Sequence, residues 1–347
     1  MTGDMVIDDD RTTDAPGALM RREAGEAAGV LLRRMAQVPA RDALLGSFGA
    51  PRAIYTIARG SSDAACTVFN YEAMARLGLP ATTLPPSVFS LGGGVELEGA
   101  LVVALSQSGA SADLVASARG AVAGGARVVA ITNVDGSEIE AQAHHRIPIL
   151  AGPERAVPAT KSVVGSIAGG LALMSSLSPA FAAAQSAFLA DTKAADLGQL
   201  DAPGLDQAIT GARHIYVIGR QQMLGAAQEI ALKIKECCAI HAEAYSASEV
   251  LHGPLQLSSP WLLTLILDDG DPRLQNGLDT AQDRFARAGA QVIRLRTSLA
   301  MRSARPCGAV LAADMLIALY PQILAAALDL GVDPDSPNLL KKVTQTT

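Results

Sequence analysis

Residues 100–111 read Ala-Leu-Val-Val-Ala-Leu-Ser-Gln-Ser-Gly-Ala-Ser, a continuous apolar run that ends in hydroxyls, an amide and a glycine. A strand without polar alternation is typical of a parallel sheet that is covered on both faces. Further apolar runs alternate with helical patterns in this half of the chain. Strands are predicted at 53–58, 100–105, 127–132 and 147–150, and helices at 62–77 and 111–123. This alternation predicts an α/β fold with parallel sheets flanked by helices on both faces.

The same alternation of strands and helices is predicted again in the second half of the chain. Strands are predicted at 215–219, 262–267 and 291–295, and helices at 222–237, 274–288 and 312–330. Residues 54–59 read Ile-Tyr-Thr-Ile-Ala-Arg and residues 215–220 read Ile-Tyr-Val-Ile-Gly-Arg, so the first strand of each half carries the same short pattern. We therefore predict two copies of one lobe, joined by residues 185–211.

The predicted organisation has four parts. An N-terminal segment and helix span 1–45, the first lobe 46–200, the second lobe 201–335 and a tail 336–347. Residues 1–16 are polar and acidic and are expected to be disordered, whereas 17–45 have a helical pattern. The short polar tail is either a frayed end or a lid over a site.

Composition excludes several classes of function. The chain of 347 residues has a formal net charge of −6 and only 3% aromatic residues, which argues against a nucleic-acid binder. Four cysteines in a chain of this length make a disulfide framework improbable and favour a reducing, cytoplasmic location. They are Cys66, Cys237, Cys238 and Cys307. Neither these residues nor the histidines have metal-ligand spacing, so no metal is predicted.

Residues 162–190 contain no charged side chain, and a stretch of this length can span a bilayer. The stretch is rich in Gly, Ser and Ala, is broken by Pro179, and lacks basic flanks or an aromatic belt. Buried helices packed closely through small residues are therefore expected, and no membrane association. The N-terminus shows no secretory signal.

The residues that follow the predicted strands carry the first functional signal, because ligands of parallel sheets bind at the carboxyl ends of strands. Residues 106–111, Ser-Gln-Ser-Gly-Ala-Ser, open a helix whose free N–H groups and dipole suit a phosphate. The alternative is that Ser108 or Ser111 only caps the helix, which explains one serine but not the whole pattern. No Walker A or Gly-x-Gly-x-x-Gly motif follows a strand, which argues against ATP or a dinucleotide.

A second constellation lies in the helix after the first strand of the second half. Lys233 and Glu236 are three residues apart and Glu229 is four before Lys233, so the three share a helix face. From this spacing alone an ordinary surface ion pair is the simpler explanation. His241 and His252 follow closely, however, and carboxylates and imidazoles near an anion site can transfer protons next to a carbonyl. The other histidines are expected to be structural: His144, His145 and His214.

Taken in order, these motifs resemble the sugar-isomerase (SIS) family, and most closely the isomerase half of glucosamine-6-phosphate synthases. They are Ser-Gln-Ser-Gly-x-Ser at 106–111, Ala-Leu-Lys-Ile-Lys-Glu at 231–236, Ile-His-Ala-Glu-Ala-Tyr at 240–245, His-Gly-Pro-Leu at 252–255 and Asn-Leu-x-Lys at 338–341. The resemblance runs from about residue 50 to the C-terminus. It implies two SIS lobes, each with a five-stranded parallel sheet between helices. It also implies a homodimer whose sites lie near the subunit interface.

The resemblance implies roles for individual residues. The phosphate cradle would consist of Ser62, Ser106, Gln107, Ser108 and Ser111, and Val157 would contact the sugar through its backbone. The first loop has Arg59 and Ser61 where the synthases have Cys and Thr, and Ala110 stands where they have Glu. These differences concern substrate selectivity.

The implied catalytic residues lie in the second half of the chain. Glu236 would move a proton between C1 and C2 of the sugar, with Lys233 assisting. His252 would open the sugar ring, reaching the site from the neighbouring subunit. Lys341 would contact the open-chain sugar, although Lys342 is the alternative for that role. No cofactor is implied.

The expected activity follows from a departure from the synthases. Only about 45 residues precede the first lobe and none of them is a cysteine, whereas a synthase carries a glutaminase domain with a nucleophilic cysteine there. We therefore expect the ammonia-releasing direction: a glucosamine-6-phosphate deaminase of the SIS type. The alternatives are a fructosamine-6-phosphate deglycase, a galactosamine-6-phosphate deaminase, and a sugar-phosphate-sensing module without activity.

Overall fold

The structure, a computed structural model, describes residues 15–302, 304 and 306–342. Two parallel sheets are flanked by helices, which confirms the predicted α/β class. The expectation of disorder for 1–16 falls almost entirely on residues 1–14, outside the described part of the chain. The last five tail residues, 343–347, lie outside it as well.

The first sheet has five strands in the order β2-β1-β3-β4-β5, and all pairs are parallel. Its strands are β1 (Ala53–Ile57), β2 (Ala81–Thr83), β3 (Ala100–Ser106), β4 (Arg127–Thr132) and β5 (His145–Pro148). The second sheet is also parallel, in the order β7-β6-β8-β9. Its strands are β6 (His214–Gly219), β7 (His241–Ser246), β8 (Leu262–Leu267) and β9 (Gln291–Leu295).

Twelve α-helices surround these sheets in the described residues. Before and within the first half they are α1 (Ala18–Met35), α2 (Arg41–Leu45), α3 (Ser61–Leu77), α4 (Ser87–Ser90), α5 (Ala112–Ala123) and α6 (Glu138–Gln142). The remaining helices are α7 (Lys161–Leu177), α8 (Pro179–Asp191), α9 (Leu205–Gly211), α10 (Gln222–Cys238), α11 (Gln275–Arg287) and α12 (Gly308–Asp329).

The expectation of five strands in each lobe is wrong for the second lobe. Among the described residues its sheet has four strands, against five in the first. After β9 the described residues form a short 3-10 helix, Leu299–Met301, and then α12, and no strand equivalent to β5 is found among them.

The two sheets share one layer of helices. Leu101, Val103 and Leu105 of β3 face a core that also contains Val217 of β6 and Leu265 of β8. Helices α1, α3, α7, α10 and α12 contribute to this core. The alternate side chains of β3 face a separate cluster with α5, and the outer face of the second sheet packs on α11. The inner core therefore joins the lobes.

The charge-free stretch forms two helices, as expected. Helix α7 is buried along nearly its whole length, and added Cβ atoms on its glycines would approach neighbouring side chains closely: Gly169 to 2.9 Å from Ile131 and Gly170 to 2.8 Å from Phe69. By length and composition, α12 alone among the described helices could cross a membrane, but 78% of its apolar window is buried inside the protein. Helix α12 therefore behaves as a core helix.

Candidate active site at the carboxyl ends of the first sheet

A cavity of about 330 Å³ lies at the carboxyl ends of β1 and β3. These strands are neighbours, but the chain continues from β1 to β2 on one side and from β3 to β4 on the other. Such a reversal of strand order leaves a crevice between adjacent loops, and this is where open parallel sheets bind ligands. The cavity borders on all five residues predicted to form a phosphate cradle: Ser62, Ser106, Gln107, Ser108 and Ser111.

The loop after β3 is held in shape by its own serine and glycine. The Gly109 N–H donates to Oγ of Ser106 at 3.1 Å. Gly109 has φ +64°, and a Cβ there would lie 2.3 Å from Oγ of Ser137, so both the backbone conformation and the space require glycine. The turn thereby places the hydroxyls of residues 106–111 along one wall of the cavity.

The structure does not support the alternative that Ser108 or Ser111 only caps helix α5. Ser111 is the N-cap residue of α5, yet its side chain makes no capping hydrogen bond to the described residues. The Ser108 hydroxyl accepts only a long bond, 3.4 Å, from the N–H of Ala110, which precedes the helix. Both hydroxyls are therefore available to a ligand. The N-terminus of α3, with Ser61 and Ser62, borders the same cavity, so two helix N-termini meet there.

Helix α10 brings the charged residues to this cavity from the other lobe. Lys233 and Glu236 line the cavity, and their side chains form an ion pair. Lys233 is fully buried and also lies 3.7 Å from Glu229, whose second carboxylate oxygen has no described hydrogen-bond partner. Glu236 is 25% exposed. The surface ion pair expected from spacing alone is thus a buried pair that faces the cavity.

Burial and neighbouring charges shift the pKa values of this group. Burial opposes the charge of Lys233, but the carboxylates of Glu229 and Glu236 outweigh that effect and raise its pKa. Burial also raises the pKa of Glu229 to about 7, although Lys233 acts in the opposite direction. Lys233 is consequently a permanent ammonium donor at neutral pH, and Glu236 is the carboxylate that the cavity exposes.

The tail closes one side of the cavity. Leu340, Lys341 and Lys342 all border it. The ammonium of Lys342 is bound 3.1 Å from Oε2 of the buried Glu154, whereas no described residue forms an ion pair with Lys341. The contacts therefore favour Lys341 as the lysine that is free to meet a ligand.

Glu154 also shapes the loop that carries Val157, another predicted residue that borders the cavity. Its carboxylate accepts hydrogen bonds from the N–H groups of Thr160 and Ser162, each at 3.0 Å. Burial works against ionisation of Glu154, but Lys342 and the hydrogen bonds from Ser162 and Thr160 outweigh it and lower its pKa. Sequence patterns did not reveal this residue, because its ion-pair partner, Lys342, lies 188 residues further along the chain.

His252 is the one candidate that the structure does not bring to the cavity. It is exposed and lies between two short 3-10 helices, Glu249–Leu251 and Pro254–Leu257. Its role, which requires a second subunit, stays a prediction. Of the three histidines expected to be structural, His145 begins β5 and His214 begins β6. In the described part of the chain, no group of three or more His, Cys, Asp or Glu residues is arranged to hold a metal ion.

The model of the SIS domain family matches residues 50–176 and 208–300, more than half of the chain. The chain belongs to the SIS domain family. The expected resemblance to the isomerase half of glucosamine-6-phosphate synthases is confirmed as well. This SIS protein is 32% identical over 306 residues to glutamine–fructose-6-phosphate aminotransferase (isomerizing) of Sulfurisphaera tokodaii, over 84% of this chain and 50% of the relative. It thus spans about half the length of that relative.

Solved structures show the same two-lobed SIS fold. A protein of Silicibacter pomeroyi assigned as a phosphosugar isomerase is 33% identical, with a TM-score of 0.78 over 91% of this chain and 99% of that one. The C-terminal domain of glucosamine-fructose-6-phosphate aminotransferase from Francisella tularensis has a TM-score of 0.79 over 94% of this chain and 100% of that chain. Its identity is 22%, so this second likeness concerns the fold alone.

Proposed function

We propose that this SIS protein is a glucosamine-6-phosphate deaminase, which converts glucosamine 6-phosphate and water to fructose 6-phosphate and ammonia. One observation carries the proposal: the partly exposed carboxylate of Glu236 and the buried ammonium of Lys233 line the same small cavity as the hydroxyl-rich loop 106–111. The loop suits the phosphate end of the substrate, and the charged pair suits proton transfer at the other end.

The size of the cavity favours a compact substrate. Its volume of about 330 Å³ lies at the small end of the range of roughly 300–1,000 Å³ for ligand sites. Such a volume is in keeping with a hexose phosphate.

The proposed reaction uses residues of both lobes. With the phosphate held by the first lobe, His252 of a second subunit assists opening of the sugar ring. Glu236 removes the proton from C2, the C–H electrons form the C1–C2 double bond, and the C1 oxygen takes a proton with help from Lys233. Glu236 then returns a proton to C1, the nitrogen lone pair forms a C2–N double bond, and water adds at C2 and releases ammonia. The homodimer belongs to this proposal.

The four cysteines of this chain are poorly suited to act as nucleophiles. Burial raises the pKa of all four thiols, to about 12 for Cys238 and Cys307 and further for Cys66 and Cys237. A thiol that keeps its proton at neutral pH is a poor nucleophile. All four cysteines are unpaired, which suits the cytoplasmic location that we propose.

The decisive experiment incubates the purified protein with glucosamine 6-phosphate and measures ammonia and fructose 6-phosphate together. Equal amounts of both products are expected. Turnover of a fructosamine 6-phosphate or of galactosamine 6-phosphate, without ammonia from glucosamine 6-phosphate, would replace the proposal by one of those activities. Binding of sugar phosphates without any turnover would indicate a sensing module.

The variant Glu236→Gln tests the assignment of the base. It keeps the shape of the side chain but removes the proton acceptor, so turnover should fall by at least about 100-fold, as expected for loss of a general base. Binding of fructose 6-phosphate, measured by calorimetry, should change little. Retention of activity would show that another residue moves the proton.

A further inference from the structure

Arg59 borders the candidate site. It lies in the loop after β1, and its side chain is 48% exposed. The matching arginine of the second lobe, Arg220, instead bonds to Oγ of Ser246 at 3.0 Å and does not border this cavity. The two equivalent arginines therefore have different surroundings.

The side chain of Arg59 is fixed by a buried carboxylate. Its Nε donates to Oδ2 of Asp113 at 2.8 Å, and its Nη2 lies 2.7 Å from the same oxygen. Asp113 is in the first turn of α5, and its side chain is fully buried. The pair thus joins the loop after β1 to the helix after β3, across the crevice between the two strands. Of the three guanidinium nitrogens, Nε and Nη2 hold the Asp113 carboxylate.

Of the other cations that line the cavity, Lys233 and Lys342 are already paired with carboxylates, whereas Lys341 forms no ion pair with a described residue and is assigned above to the open-chain sugar. Lys233 lies between Glu229 and Glu236, and Lys342 is bound to Glu154. A phosphate monoester carries a charge between about −1.5 and −2 at pH 7. Asp113, close to the same helix terminus, would repel it unless its charge is balanced. Arg59 is placed to balance that charge and to offer its remaining N–H groups to the phosphate.

We propose that Arg59 is a specificity-determining residue, which binds the phosphate of the substrate through its guanidinium while Asp113 holds it in place. The site then selects the dianionic phosphate monoester over an unphosphorylated sugar. This inference rests on the sugar-phosphate site of the proposed function, and it adds a charged contact to the cradle of hydroxyls and an amide.

The test measures binding of fructose 6-phosphate by calorimetry, without turnover. Arg59→Gln should raise Kd by about 10- to 100-fold, as expected for a lost hydrogen bond between charged groups. Arg59→Lys should lie in between, because lysine keeps the charge but not the planar fork. Arg220→Gln is the matched control and should leave Kd within about twofold. A Kd within twofold of the parent for Arg59→Gln would overturn the proposal.

A double variant separates direct contact from charge balance. If Arg59 only neutralises the carboxylate, Arg59→Gln combined with Asp113→Asn should restore the parent affinity, and that result would also overturn the proposal. If Arg59 contacts the phosphate, the double variant stays weak. The double variant also leaves no buried charge unpaired, so it remains testable where Arg59→Gln alone does not fold. Weakened binding in Arg59→Gln, together with no ammonia release by the parent, would refute the deaminase but not this inference.

Discussion

Glu229 lies within the shared helical layer as a fully buried carboxyl group. Its neighbours are Lys233, at 3.7 Å, and the hydroxyl of Tyr320, at 3.3 Å. One of its oxygens has no described hydrogen-bond partner, and burial outweighs the stabilising effects of Lys233, Ser61 and Tyr320 on its charge. This environment is unfavourable for stability. However, the buried carboxyl group of Glu229 helps to position the ammonium of Lys233 next to Glu236.

This environment predicts a pH dependence of stability. Burial raises the pKa of Glu229 from 4.5 to about 7, so between these values the folded protein holds a proton that the unfolded chain releases. The contribution of Glu229 to the free energy of unfolding therefore falls as pH rises from about 4.5 to 7, and then stays constant. Glu229→Gln abolishes this loss.

Urea denaturation of Glu229→Gln and the parent at pH 5 and pH 8 measures the effect. The stability of the variant relative to the parent should increase between these pH values, by on the order of 1–3 kcal/mol. Glu98→Gln removes a carboxylate from the exposed surface and is the control. An identical change of stability with pH in the parent and in Glu229→Gln would contradict the prediction.

For single residues, the sequence predicted the site residues that belong to contiguous motifs. It did not predict the residues that act through partners far away in the chain. Ser106 and Gln107 follow a strand, and Glu236 lies in a recognisable helix, so their types and spacing were informative. Asp113 meets Arg59 across 54 residues, and Glu154 meets Lys342 across 188. Such pairs depend on the path of the chain between them, which periodicity does not contain.

Among the elements, the crossing of α3 and α10 matters most for the site. These helices follow the first strand of each lobe, and they carry Ser62 and Glu236 respectively. At the crossing, a Cβ on Gly225 would lie 2.6 Å from the carbonyl oxygen of Ala64 and 2.7 Å from the backbone nitrogen of Val68. Only glycine allows the two helices to approach so closely.

Gly225→Ala should therefore push α3 and α10 apart. We expect a loss of about 1–3 kcal/mol in the free energy of unfolding, as for other overpacked cores, and a lower rate of turnover because the cradle and the base separate. Gly277→Ala is the control: Gly277 is at an exposed position of α11 with open space around it, and the substitution should stabilise the protein by roughly 0.5–1 kcal/mol. Equal stability of both variants would refute this account of the crossing.

Predicted strands were accurate where a strand is a short run of mostly apolar residues. The bounds of β4, β8 and β9 agree with the predicted strands, because each is a short run of mostly apolar residues. Strands β2 and β7 were not predicted. Both are edge strands: β2 has three residues, and β7 reads His-Ala-Glu-Ala-Tyr-Ser, so a short or polar edge lacks the signal of a central strand.

For the whole molecule, the two ends of the described chain meet. Asp335 accepts hydrogen bonds from the N–H groups of Leu19 and Met20, at 2.7 and 2.9 Å, and thereby caps α1. Near its start α1 carries Glu23, which accepts from the N–H groups of Arg155 and Ala156 in the loop of the cavity. The N-terminal helix, the segment after α12 and the loop at 154–160 are thus one connected structure.

The two tail lysines have different roles: Lys342 is structural and Lys341 acts in turnover. Their variants should therefore differ. Lys342→Met leaves the buried carboxylate of Glu154 without its cation, which should lower the free energy of unfolding at pH 7 by about 1–3 kcal/mol. Lys341→Met removes no described ion pair, so its melting temperature should match that of the parent while turnover is lost.

Thermal unfolding between pH 3 and pH 7 tests the structural role of Lys342. In the parent, the lowered pKa of Glu154 contributes stability that is present above its unfolded pKa, near 4.5. That contribution disappears as pH falls through the lower, folded value. The deficit of Lys342→Met should therefore be full at pH 7 and shrink as pH falls through the folded pKa of Glu154. A loss of stability in Lys342→Met that does not depend on pH would contradict the prediction. A loss of stability in Lys341→Met instead would show that Lys341, and not Lys342, is the cation that anchors the tail.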